Sequence, residues 1–318
     1  MEYEPPTHTT TDRRLGQLPS GRTLSVTVHR YVGGDGPTVY VQAAQHGIEL
    51  NGPAALRRLH DRLLSTEIAG TILVVPVVNP PAFDHRSYMM PSEYDVRNPN
   101  LNRVWPGDSE GSLQERLAAQ LWKLVTDADA AVDLHTGTAD MLEHVRYHAS
   151  QADARRLAEA FGTEYCLVDT GEIATEEPFD GTFRAAAARA AIPAITAELS
   201  NSRQITHDAI ESGVDGMANL LRAVEVIDAD PVASSNQTVL ENNSTDIIAA
   251  ASGLFELRSE ISVGDTVAEG AELGTVYSPS TYDRLQTVTA NEGGVAYSVA
   301  REAVVVAGER IAALATEM

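Results

Sequence analysis

The sequence predicts an α/β protein built on a mixed, mainly parallel sheet flanked by helices and followed by a small all-β unit. Three observations carry this prediction. Strand-like apolar runs alternate with stretches of helical period through residue 226. Runs such as TILVVPVV are continuously apolar, as strands covered on both faces must be. Beyond residue 229 the pattern changes to short apolar pieces broken by glycine.

Residues 23–31 alternate like a strand, and 38–45 form a second strand ending at His46-Gly47. Residues 51–64 have helical period, with Pro53 near the start. The buried strand 71–78 precedes a Pro- and Asn-rich stretch, 79–110, long enough to be functional rather than idle. A helix at 112–126 leads to the strand 128–135. Helices at 151–161 and 181–191 alternate with strands at 164–169 and 193–199, and a last helix spans 207–226. The polar segment DADPVASSNQTVLENNSTD reads as a boundary, giving a catalytic domain over 1–229 and a small β-domain over 230–318.

The net charge is −22, and lysine occurs once, at Lys123, against 22 arginines. An acidic surface with arginine in place of lysine fits a halophilic protein, because salt screens its self-repulsion. Such a surface repels phosphate backbones, so nucleic acid is not an expected partner. A small anionic substrate needs a local positive pocket. No apolar run reaches the length of about 18 residues that a membrane span needs, so no membrane is expected. The polar start MEYEPPTHTTTDRR lacks a signal-peptide core, which makes the cytoplasm the expected location. A single cysteine, Cys166, excludes an internal disulfide framework. The sequence leaves self-association into a homo-oligomer open.

Candidate chemistry lies at strand ends. His46 and Glu49, in QHGIELNG, and His135, in VDLHTG, each follow a predicted strand. Strand ends are where open α/β sheets bind ligands. Two imidazoles and a carboxylate are the set that leaves zinc an open position. Each motif alone is weak; two strand ends supplying three ligands are stronger. Asp133 reads as a buried residue supporting His135. Glu198, in AITAELS, ends a third strand; beside activated water it would serve as base and then acid, and otherwise it is a loop carboxylate. The long loop offers Arg86, Arg97, Asn102 and Arg103 for an anionic substrate, unless its arginines simply pair with Asp95 and Asp108.

QHGIELNG, NLNRVWPG, DLHTG and PAITAELS, in this order, resemble the succinylglutamate desuccinylase/aspartoacylase family of zinc-carboxypeptidase-like hydrolases. The resemblance spans most of residues 38–225. It implies one zinc ion per chain held by His46, Glu49 and His135, with Glu198 as the catalytic glutamate. It also implies that Asn102 and Arg103 bind the substrate carboxylate and that Arg86 polarises the scissile carbonyl, with Arg97 a rival for that role. Arg146, eleven residues after His135, is assigned to a second anionic group. The implied reaction is hydrolysis of the amide in a small N-acyl amino acid. Alternatives are a zinc carboxypeptidase acting on peptides and an inactive zinc-binding regulator. The C-terminal hairpins also resemble lipoyl and biotinyl carriers, but residues 230–318 contain no lysine to modify.

Overall fold

A strand buried on both faces must hydrogen-bond its whole backbone to neighbours, and this requirement organises the first 200 residues. The computed structural model describes all residues except 139, 171–180, 233–236 and 301–302. Strands β1 (Thr7–Gln17) and β2 (Thr23–Val32) form an antiparallel hairpin, and β3 (Gly34–Ala43) follows. Helix α1 (Asn51–Leu63), β4 (Ala69–Val75) and the short α2 (Pro80–His85) come next. Helix α3 (Leu113–Trp122) starts at a Ser112/Glu115 capping box, which satisfies two backbone N–H groups at that terminus. Then come β5 (Ala130–Gly137), β6 (Asp140–Met141), β7 (His144–His148), α4 (Ala152–Phe161), β8 (Tyr165–Asp169), α5 (Phe183–Arg189), β9 (Ala194–Asn201) and α6 (His207–Ala223). The strands and helices expected before residue 226 are all present, with ends shifted by a few residues.

The C-terminal part adds β10 (Thr238–Ile248), β11 (Gly253–Leu257), β12 (Thr266–Val267), β13 (Glu272–Tyr277), β14 (Arg284–Thr289), β15 (Gly294–Val299), β16 (Val304–Val305) and β17 (Arg310–Glu317). The large mixed sheet has the order β1-β2-β4-β3-β5-β9-β7-β8-β10-β17-β15-β12, with β6 pairing β15. Its centre, β4-β3-β5-β9, is parallel. A smaller antiparallel sheet, β14-β13-β11-β16, completes the C-terminal part.

Side chains of the central strands divide between two cores. Val39, Val41, Val132 and Leu134 face the layer of α1, α4 and α6; Tyr40 and Ala131 face the layer of α3 and α5. The polar segment expected to be a boundary holds most of β10, which pairs parallel with β8 and antiparallel with β17. The sheet therefore runs on past residue 229. Strand β1 was not expected either: THTTTDRRLGQ is polar on both faces and joins the sheet as an edge through its backbone.

This topology aligns the strand ends that carry the candidate residues. Strands β3, β5 and β9 are parallel neighbours, and His135 pairs in register with Glu198. After β3, Ala44 takes a left-handed backbone (φ 54°), which turns the chain out of the sheet. Gly47 then passes against α2, where a Cβ would lie 2.0 Å from the Ala82 carbonyl oxygen, so only glycine permits this path.

Candidate active site

His46, Glu49 and His135 are all buried, and their ligand atoms lie within 4.8 Å of one another. His46 donates through Nδ1 to the Tyr88 carbonyl oxygen at 3.1 Å, which leaves Nε2 as its lone-pair nitrogen. The Tyr88 ring stacks on the His46 imidazole at 3.8 Å and fixes its plane. His135 is held from the other side: its Nε2 lies 2.8 Å from Asp133 Oδ2, so Nδ1 is the atom turned to the cluster. That Nδ1 comes within 2.9 Å of Glu49 Oε2, yet Oε2 has no hydrogen-bond partner. The two atoms converge without hydrogen-bond alignment, as donors aimed at a common cation do. Two imidazoles and one carboxylate, with the second nitrogen of one imidazole on a carboxylate, fit a catalytic zinc ion.

Asp133 is fully buried, and its cost is met by three donors. Gln42 Nε2 reaches Oδ1 at 3.1 Å, and Gln45 Nε2 reaches Oδ2 at 2.5 Å beside His135. Gln45 accepts in turn from Trp105 Nε1 at 2.7 Å, and Gln42 from the Tyr40 hydroxyl at 2.9 Å. This network locks the orientation of His135. Burial opposes charging of His135, but the Asp133 and Glu49 carboxylates outweigh it and raise its pKa well above the ordinary value. Burial lowers His46 and raises both Glu49 and Glu198. Asp133→Asn removes the charge behind His135 and is expected to weaken zinc binding about 10- to 100-fold, read by competition with a chelator.

The cluster forms one wall of a cavity of about 480 Å³. Glu198, Asn102, Arg103 and Arg146, all singled out in the sequence, also line it. Asn102 Oδ1 accepts from the Phe183 backbone N–H at 3.0 Å, leaving its amide nitrogen for a ligand. Arg146 Nε donates to His144 Nε2 at 3.0 Å, and its guanidinium lies 5.9 Å from the Tyr297 ring centre. Burial and the Arg146 charge push His144 down to about 3, which keeps it a neutral acceptor. Arg86 and Arg97 are not brought to this wall. Arg86 ends α2 in a left-handed conformation and is exposed, and Arg97 is exposed on a turn tied to Asp95. Spacing in a loop carries no information about direction, which is why sequence put both near the substrate.

Sequence reasoning missed Arg184, Asn242, Asp246, Tyr297 and Arg310, which reach the cavity from remote segments. Arg184 and Asp169 form a buried ion pair; Arg184 Nη1 also bonds Thr196 Oγ1 at 3.1 Å, and Asn242 Nδ2 bonds Asp169 at 2.5 Å. Burial opposes ionisation of Asp169, but Arg184 and Arg146 prevail and hold its carboxyl below the ordinary range. The stabilisation from this pair is therefore complete above about pH 4 and is lost as pH falls through the lower folded value. Arg184→Ala removes the ion-pair partner of a buried carboxylate and is expected to cost about 3 kcal/mol near neutral pH, measured by denaturant unfolding.

A family model for the succinylglutamate desuccinylase/aspartoacylase catalytic domain matches residues 35–224. The chain is 29% identical over 255 residues to the N-alpha-acetyl-L-2,4-diaminobutyric acid deacetylase of Halomonas elongata, covering 77% of this chain and 71% of that protein. The fold matches a succinylglutamate desuccinylase/aspartoacylase from Rhodobacter sphaeroides with TM-score 0.85 and 24% identity, over 100% of this chain and 98% of that one. It also matches the product-bound ectoine utilization protein EutE (DoeB) from Ruegeria pomeroyi with TM-score 0.84 and 23% identity, over 99% and 100%.

Proposed function

Because the chain belongs to the succinylglutamate desuccinylase/aspartoacylase family, we propose that it is a zinc-dependent hydrolase that cleaves the amide bond of a small N-acyl amino acid. The observation that carries this reading is the convergence of His46, Glu49 and His135 beside Glu198 in a cavity lined by arginines. In the proposal His46, Glu49 and His135 hold one zinc ion. Bound there, zinc supplies Lewis acidity, polarising a carbonyl and making water more acidic.

Glu198 takes the proton from the attacking water and passes it to the leaving amine. Its pKa, raised by burial, suits a group that must both accept and release a proton. Arg103, with the Asn102 amide, receives the substrate carboxylate. Arg146, whose charge Glu198 feels, stabilises negative charge that develops at the carbonyl. Residues 1–229 carry this chemistry, while residues 230–318 cap the cavity through Asn242, Asp246, Tyr297 and Arg310. Asp246 would also suit a substrate bearing an ammonium group, as the substrate of the Halomonas deacetylase does. The acidic, lysine-poor composition supports a high-salt cytoplasm as the working environment. Among the described residues no helix is long and apolar enough to cross a membrane.

The test is amine release from a panel of N-acetyl, N-succinyl and N-formyl amino acids, N-acetyl-diaminobutyrate included, beside free and C-terminally blocked peptides. Turnover confined to N-acyl amino acids supports the deacylase. Preferred cleavage of free-carboxylate peptides would make the chain a carboxypeptidase. No turnover of any substrate by zinc-loaded protein would favour an inactive regulator.

A further inference from the structure

A second cluster of imidazoles lies away from the cavity. His8 on β1, His29 on β2 and His60 on α1 each offer a ring nitrogen within 4.8 Å of the other two. His60 is nine residues along α1 from Asn51, about 14 Å from the helix end that adjoins Glu49. We propose that His8, His29 and His60 form a second site for a divalent transition cation of the zinc, copper or nickel class, which ties the edge strand β1 to α1.

Geometry supports this. His8 Nε2 and His29 Nδ1 are 3.1 Å apart. Two ligands at 2.0–2.1 Å from a tetrahedral zinc ion are separated by about 3.3 Å, so little movement is needed. His60 Nδ1 lies 2.7 Å from the Tyr31 hydroxyl, the kind of contact that fixes the tautomer and plane of a ligating imidazole. The His8 and Tyr31 rings stack at 4.6 Å, which holds His8 in place. A set made of imidazoles alone, with no carboxylate, selects borderline transition cations over magnesium and calcium.

The site also answers a structural need. Strand β1 is a polar edge whose buried side chains are few, with Leu15 the fully buried one. A cation shared by β1, β2 and α1 would clamp it through side chains from three elements.

The test counts zinc. Full-length protein is stripped with chelator, equilibrated with micromolar zinc chloride, desalted and analysed by metal spectrometry. His29→Gln is expected to bind one equivalent less than wild type. The same loss of one equivalent is expected between His46→Ala and the His46→Ala/His29→Gln double variant, so the result does not depend on the catalytic assignment. If the catalytic site held no zinc, wild type would lose an equivalent while the His29-dependent difference persisted. Zinc should also raise the Tm of His46→Ala but not that of the double variant. His8→Gln, on the exposed edge, serves the same comparison if His29→Gln does not fold. Equal zinc content with and without these histidines overturns the proposal and leaves the cluster as hydrogen-bonded aromatic packing.

Discussion

Glu198→Gln is expected to lower turnover about 10²- to 10⁴-fold while zinc content stays that of the wild type. Glutamine keeps the length and shape of glutamate, so the cavity wall is preserved. What disappears is a group that can accept a proton and give it back. Glu198 lies outside the set of His46, Glu49 and His135, so metal binding should not change. A matched decrease in kcat and kcat/KM, with KM nearly constant, would assign the loss to the chemical step. Wild-type turnover in the variant would remove Glu198 from the mechanism.

His46→Ala is expected to release the zinc equivalent of the catalytic site and abolish turnover together. Two donors remain, His135 and Glu49, and the buried Glu49 carboxylate then faces a single imidazole. The alanine also leaves the Tyr88 ring without its stacking partner at 3.8 Å. Zinc content after desalting and circular dichroism of the purified variant separate metal loss from unfolding. Zinc content equal to that of the wild type in folded His46→Ala would refute the ligand assignment. The contrast between the two variants is informative, because one should retain the wild-type zinc content without activity and the other should lose the catalytic zinc and the activity together.

The parts of this protein that were legible in its sequence share a physical cause. Strands β3, β4, β5 and β9 are covered on both faces, so their side chains are mostly apolar, with few polar exceptions such as Gln42 and Asp133, and their ends stand out. A histidine or glutamate directly after such a run is conspicuous, and that is how His46, Glu49, His135 and Glu198 could be found. Strand β1 left no such mark, because an edge strand is recruited by backbone pairing and its polar side chains face water. Strand β10 was hidden for a similar reason, in a segment whose Asn and Ser content resembles a linker.

The support of His135 was harder to see. Gln42 and Gln45 each donate to Asp133, and Trp105 donates to Gln45, but the three come from a strand, a turn and a loop that is separated by 60 residues from Gln45. Only the fold brings them together. The cavity arginines show the same limit in both directions. Arg184 and Arg310 line the wall from segments with no motif, whereas Arg86 and Arg97 sit in a suggestive loop and point elsewhere. A sequence marks candidate groups at strand ends more clearly than the cavity wall around them.

The most direct test of the account is metal removal and return, followed with an N-acyl amino acid cleaved by the wild-type protein. Protein stripped of metal should release no amine above background, and one equivalent of zinc per catalytic site should restore turnover in wild type but not in Glu198→Gln. Full activity in protein verified as metal-free would contradict it.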